Sequence, residues 1–197
     1  MASKNCMTNL ALCEIEKTIQ RGEKLDGIYS WARFEFRGKH YYMDSTGNLW
    51  VWLTKKQDWK YICGGRCRRD KYHQYSLSTV QIKSYVLSML CLTDNFLDKY
   101  LSGDCVVNHM VIDVDGAPNV NVERDPRYLE CVDSSSNVSH GSLIRRYGLY
   151  NTRVSAADVR ALETLFLKTE DMKPKAIVSF FYGSRTSMPV EVASCVI

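Results

Sequence analysis

Between Ile28 and about Leu77 the chain is cut by glycines and polar breaks into short aromatic and β-branched runs, and this constrains its fold more than any other feature of the 197 residues. Tyr29-Ser30-Trp31-Ala32-Arg33-Phe34-Glu35-Phe36 comes first. Tyr41-Tyr42-Met43, Leu49-Trp50-Val51-Trp52-Leu53 and Tyr72-His73-Gln74-Tyr75-Ser76-Leu77 follow. Such runs fit pleated, half-buried strands, so the stretch predicts a small antiparallel meander. Trp31, Phe34, Trp50 and Trp52 read most simply as core or sheet packing.

The flanks have helical spacing. Residues 8–21 carry apolar side chains at 10, 12, 13, 15 and 19 and stop at Gly22, which predicts a first helix. Residues 79–97, with Val80, Ile82, Val86, Leu87, Leu90, Cys91 and Phe96 apolar, predict a second that runs out near Ser102-Gly103. Val106–Met110 and Tyr128–Val132 then read as two short strands, parted by a polar loop holding Gly116, Pro118 and Pro126. Ser134-Ser135-Ser136 offers N-cap hydroxyls to a helix that carries Asn137, His140 and Ile144 up to Gly148. Beyond it, Ser155-Ala156-Ala157-Asp158 opens an amphipathic helix with Val159, Leu162 and Phe166. A short helix (Pro174, Ala176, Ile177, Phe180) and a turn at Gly183 complete a module over 151–197. The expected fold class is α+β, a small antiparallel sheet with helices. Its expected divisions are 1–26, 27–103, 104–150 and 151–197.

Hydrophobic residues at 45% with only 11 Gly and 4 Pro exclude a disordered or collagen-like chain. No run approaches the ~20 apolar residues of a membrane span, and no secretory leader is expected. The eight cysteines (6, 13, 63, 67, 91, 105, 131, 195) are scattered and mostly flanked by apolar residues, so they read as reduced thiols of a cytosolic protein. A net charge of +4 permits a nucleic-acid partner. Lys55, Lys56, Lys60, Arg66, Arg68, Arg69 and Lys71 crowd one segment against Asp58 and Asp70, with Trp59 and Tyr61 between them. The bland reading is a solvated hairpin. Cys63, Cys67 and His73 could hold zinc, but no convincing fourth ligand appears.

Val106-Val107-Asn108-His109, Tyr128-Leu129-Glu130-Cys131-Val132 and Asn137-Val138-Ser139-His140 together resemble the HNH motif of phage and intron homing endonucleases. Tyr41-Tyr42-Met43-Asp44-Ser45-Thr46-Gly47-Asn48-Leu49-Trp50 resembles an element that often precedes such domains. Residues 154–197 look like the helix-turn-helix that often follows them. The resemblance covers roughly 27–197. It implies a ββα-metal nuclease core over 104–150, a DNA-binding meander before it and a helix-turn-helix-like module after it. It also implies a metal-dependent endonuclease acting on double-stranded DNA, in the cytoplasm of a bacterial host if the chain is phage-encoded. His109 would be the general base. Asn108, Asn137 and His140 would face a divalent ion, Mg²⁺ or Mn²⁺, with Zn²⁺ tolerated by a histidine ligand. Beside this motif the basic segment becomes a phosphate-contacting surface. Arg185 would stand at the start of the reading helix.

The family usually places Asn where this chain has Tyr128, and Asp where it has Asn108. Asn119 or Asn121 could tie the loop down instead. These departures carry the alternative: a non-catalytic HNH-fold protein that binds DNA or a host protein as an inhibitor or regulator. The sequence leaves monomer and dimer undecided.

Overall fold

The computed structural model describes residues 4–66, 72–113 and 116–168. Helix α1 (Lys4–Glu16) leads into β1 (Gln20–Arg21), β2 (Lys24–Leu25), β3 (Ile28–Tyr29), β4 (Trp31–Phe36), β5 (Lys39–Asp44), β6 (Leu49–Leu53) and β7 (Asp58–Ile62). Next come β8 (Gly65–Arg66), β9 (His73–Leu77), β10 (Val80–Lys83), α2 (Ser84–Leu92) and α3 (Phe96–Ser102). β11 (Val106–His109), β12 (Leu129–Val132), α4 (Ser134–Tyr147) and α5 (Ala156–Lys168) follow. The fold is α+β with small antiparallel sheets. No helix among the described residues is long and apolar enough to cross a membrane.

The main sheet runs β1-β4-β5-β6-β7, and a second runs β10-β9-β8. Pairing of Ala32 with Met43 and Phe34 with Tyr41 puts the alternate residues of each strand on one inner face. Ala32, Phe34, Phe36, Tyr41, Met43 and Leu49 are buried there, in one core with Ala11, Leu12 and Ile15 of α1 and Val86, Leu87 and Leu90 of α2. The same alternation sends Trp31, Trp50 and Trp52 to the other face. Phe34 is therefore core, whereas the three tryptophans are only half-buried. On that outer face Tyr42, Trp50, Tyr61, Trp52 and Trp59 pack ring against ring at 5.3–5.9 Å, and the Arg33 guanidinium lies over Trp31 and Tyr42.

The helix expected over 79–97 is three elements. Val80 and Ile82 point inward as alternate residues of β10, which pairs with β9. Their spacing of two was absorbed into a helical pattern because Val86 and Leu87 continue it. After Leu92 the chain turns extended at Thr93 and left-handed at Asn95, which separates α2 from α3.

The strand, loop, strand, helix order expected over 106–148 is present: β11 pairs antiparallel with β12, and α4 follows. Asp133, not the serine run, caps α4, accepting from the Ser136 N–H at 2.8 Å. Ser155 and Asp158 form the expected reciprocal cap at the start of α5, at 2.9 and 3.1 Å. Leu143, Ile144, Leu149, Val154 and Val159 make a second small core between α4 and α5. The segment around Pro174, Phe180 and Gly183 lies outside the described residues.

The cysteine reading needs correction at two positions. Cys105 and Cys131 are joined as a disulfide, because the β11–β12 pairing brings their Cα atoms to 5.5 Å. Cys13, Cys63 and Cys91 are free thiols. Cys67 and Cys195 lie outside the described residues.

Candidate functional site

Antiparallel pairing sets Asn108 opposite Glu130 and His109 opposite Leu129. Consecutive strand residues face opposite ways, so Asn108 and His109 work on different sides of the hairpin. On one side the Asn108 amide donates to Glu130 Oε1 at 2.7 Å, and the same oxygen accepts the Ala156 N–H at 2.7 Å, at the start of α5. His140 is also buried, and its Nε2 donates to the Val154 carbonyl at 2.7 Å. Burial lowers the His140 pKa, opposed by that carbonyl and by the Glu130 and Asp158 charges. Asn137 stands one turn earlier on α4, half-buried, with its side chain making no hydrogen bond among the described residues.

On the other side His109 is 5% exposed, its ring 5.4 Å from Tyr72 and 4.7 Å from Tyr85. Burial pushes its pKa down to about 4, and the nearby Lys83 and His140 charges act the same way. The Glu123 backbone carbonyl opposes them. Its Nε2 has no hydrogen-bond partner among the described residues. Burial therefore favours the neutral imidazole near pH 7.

The anchors of the loop between the two strands were not visible in the sequence. Glu123 is 3% exposed, and its carboxylate accepts from Arg66 Nη2 at 3.2 Å. Asn119 plays the tying role expected of it or of Asn121: Nδ2 donates to Asp113 Oδ1 at 2.7 Å and to Asn151 Oδ1 at 3.0 Å, while Oδ1 accepts the Asn121 N–H at 3.0 Å. Tyr128 does not reach into the loop in place of asparagine; its ring lies under the Arg153 guanidinium, 5.4 Å away. Gly47, at φ +80°, lets the β5–β6 turn close on the loop, where a Cβ would fall 2.2 Å from the Arg124 carbonyl oxygen. Nothing marks Glu123 in sequence, as it is one acid in a polar loop. Gly47 was visible only as part of a motif.

Lys55 and Lys56 are exposed in the β6–β7 turn. Lys60 pairs with Val51, so it faces away from Trp59 and Tyr61, and Arg66 is engaged with Glu123. Arg68, Arg69, Lys71 and Arg185 lie outside the described residues. Of the zinc candidates, His73 Nε2 donates to the Cys63 carbonyl at 2.6 Å, and Cys67 is outside the described residues.

The donors expected to face a divalent ion do not fit one as arranged. Asn108 is tied to Glu130 and His140 to Val154, and no three His, Cys, Asp or Glu converge among the described residues. No step is therefore assigned to a metal. Known protein families, curated proteins and solved structures offer no match to this chain.

Proposed function

We propose that the chain is a DNA endonuclease of the HNH homing type, with β11, β12 and α4 as its ββα unit and His109 as general base. One observation carries the reading: His109 is buried at the end of β11 with its Nε2 lacking a hydrogen-bond partner among the described residues. A neutral imidazole in that state can accept a proton from water. The water oxygen bonds to phosphorus as the bond to the 3′ oxygen breaks. The water proton goes to Nε2, and the leaving oxygen is protonated from solvent. The divalent ion that the resemblance implies, Mg²⁺ or Mn²⁺, would offset phosphate charge only with Asn108 and His140 released from Glu130 and Val154. Lys55, Lys56 and Lys60, with Arg68, Arg69 and Lys71, contact phosphates of the duplex, and residues 151–197, with Arg185, help to seat it.

A second reading has its own support. His109 Nε2 is covered, and Asn108 is tied to Glu130, as in an HNH fold that binds DNA or a host protein without cutting. Supercoiled-plasmid cleavage with Mg²⁺ or Mn²⁺, with and without chelator, separates the two. The wild type is expected to nick or linearise the plasmid, while His109→Ala binds it with the same salt dependence and leaves it intact. Gel shifts without cleavage by either protein decide for the binding scaffold.

A further inference from the structure

We infer that the outer face of the main sheet binds single-stranded DNA, stacking unpaired bases on the aromatic rings of β5, β6 and β7 while cations around them hold the phosphates. The choice of DNA rests on the endonuclease reading; the stacking surface does not. Strand parity puts Trp31, Tyr42, Trp50, Trp52, Trp59 and Tyr61 on this face, so all four tryptophans of the chain lie on it. Trp50 pairs with Tyr61 and Trp52 with Trp59, which sets two aromatic rows across β6 and β7, about 7 Å apart along the strands. Tyr42 adjoins both rows, 5.6 Å from Trp50 and 5.9 Å from Trp59. The water-facing positions of an antiparallel sheet are ordinarily polar. Here they are aromatic and keep their solvent, with Tyr61 39% exposed and the others half-buried.

Charge decides among the partners that suit an aromatic face. The Arg33 guanidinium lies 5.4 Å from the Trp31 ring and 5.9 Å from that of Tyr42, and Arg124 Nη2 donates to the Tyr61 hydroxyl at 3.4 Å. Lys55 and Lys56 are exposed in the turn that joins Trp52 to Trp59. Of the strand carboxylates on this face, Asp44 has both oxygens engaged by Thr46 and Asn48, and Glu35 lies 4.0 Å from His40 Nδ1. The surround is thus cationic and suits a polyanion. A groove of about 800 Å³ opens beside Trp52 and Trp59, with Lys17, Arg33 and His40 in its walls, and has room for a nucleoside. The state of the strand follows from the same residues. A duplex covers both faces of each base and is read at base edges by polar side chains, whereas rings stack only on bases whose faces are open. The outward positions of β6 and β7 are aromatic without exception, which suits the second task.

The test titrates the full-length chain, in chelator and at fixed salt, with labelled probes of about 15 nucleotides: a mixed-sequence DNA strand, its blunt duplex, the same strand as RNA, and an abasic DNA strand. Fluorescence anisotropy reads affinity, and quenching of the tryptophans by unlabelled probe reads this face directly. The base-bearing DNA strand is expected to bind about tenfold tighter than the abasic one and to quench the tryptophans, while the duplex leaves them unquenched. Trp59→Ala is expected to weaken binding of the single strand about tenfold and to leave duplex affinity unchanged; Trp59→Phe, which keeps a ring, stays within about threefold of wild type. Should circular dichroism show Trp59→Ala unfolded, Tyr61→Ala takes its place with the same expected loss. An abasic strand bound as tightly as the base-bearing one, no binding of either, equal quenching by the duplex, or unchanged affinity in whichever alanine variant folds overturns the inference. Tighter binding of the RNA strand overturns the choice of DNA. A chain that binds single strands in this way and never cuts a plasmid leaves the stacking face standing and sinks the nuclease reading alone.

Discussion

Glu130 joins three elements through one oxygen, since Oε1 accepts both the Asn108 amide of β11 and the Ala156 N–H that opens α5. Removing it strands two donors, one of them on a side chain only 2% exposed. Glu130→Ala is therefore expected to destabilise the fold by about 2 kcal/mol in urea unfolding, and Glu130→Gln, which keeps the accepting oxygen, by clearly less. Gly47 carries a second constraint at this scale. Its φ of +80° and the 2.2 Å approach of the Arg124 carbonyl both oppose a side chain, so Gly47→Ala is expected to cost roughly 2–3 kcal/mol. Thermal unfolding would show it, and a cost below about 0.5 kcal/mol would mean the turn and the loop are not in contact. Neither constraint could be read from neighbours in sequence. Glu130 is 26 positions from Ala156, and what meets Gly47 is a backbone atom 77 positions away.

At the scale of elements, the disulfide and the split helix show two ways in which local pattern misleads. Cys105 and Cys131 each have apolar neighbours, which suits a buried thiol equally well, and only the β11–β12 register makes them partners. Their bridge closes a loop spanning 26 positions, so its reduction is expected to lower stability by about 3 kcal/mol through the freedom returned to the unfolded chain. Melting with and without reductant would measure this, and the Cys105→Ser, Cys131→Ser double variant should no longer respond. The segment 79–97 misleads through period instead: Val80 and Ile82 satisfy both a strand and a helix, and pairing with β9 decides between them. The tryptophans of β4 and β6 had the reverse problem. Their aromatic character suits a core, but their parity within each strand places them on the opposite face from Phe34 and Met43.

At the scale of the molecule, three of the four histidines are buried, and burial lowers the pKa of each. An unfolded histidine takes up its proton near 6.5, whereas folded His109 does so only near 4. Between these values the unfolded chain binds more protons. Stability is therefore complete above about pH 6.5 and falls as the pH drops toward 4, by on the order of 3 kcal/mol from His109 alone. His73 and His140 add to the same slope; Glu123, whose carboxyl is raised by burial, opposes it only near the carboxylate range. Urea midpoints measured across this range should fall steadily with acidification, and flat midpoints would show that the three rings are hydrated.

The sequence by itself determined where the chain alternates, where it turns helical and which short segments carry histidine and asparagine, because period and turn chemistry are local properties. It thus contained the meander, the strand-loop-strand-helix order and the cap at Ser155 and Asp158. Only the tertiary structure decided which side of the hairpin each residue serves, which cysteines meet and what anchors the loop between β11 and β12. Those outcomes depend on strand parity, on register and on contacts such as Glu123 with Arg66, 57 positions apart, for which no local pattern codes.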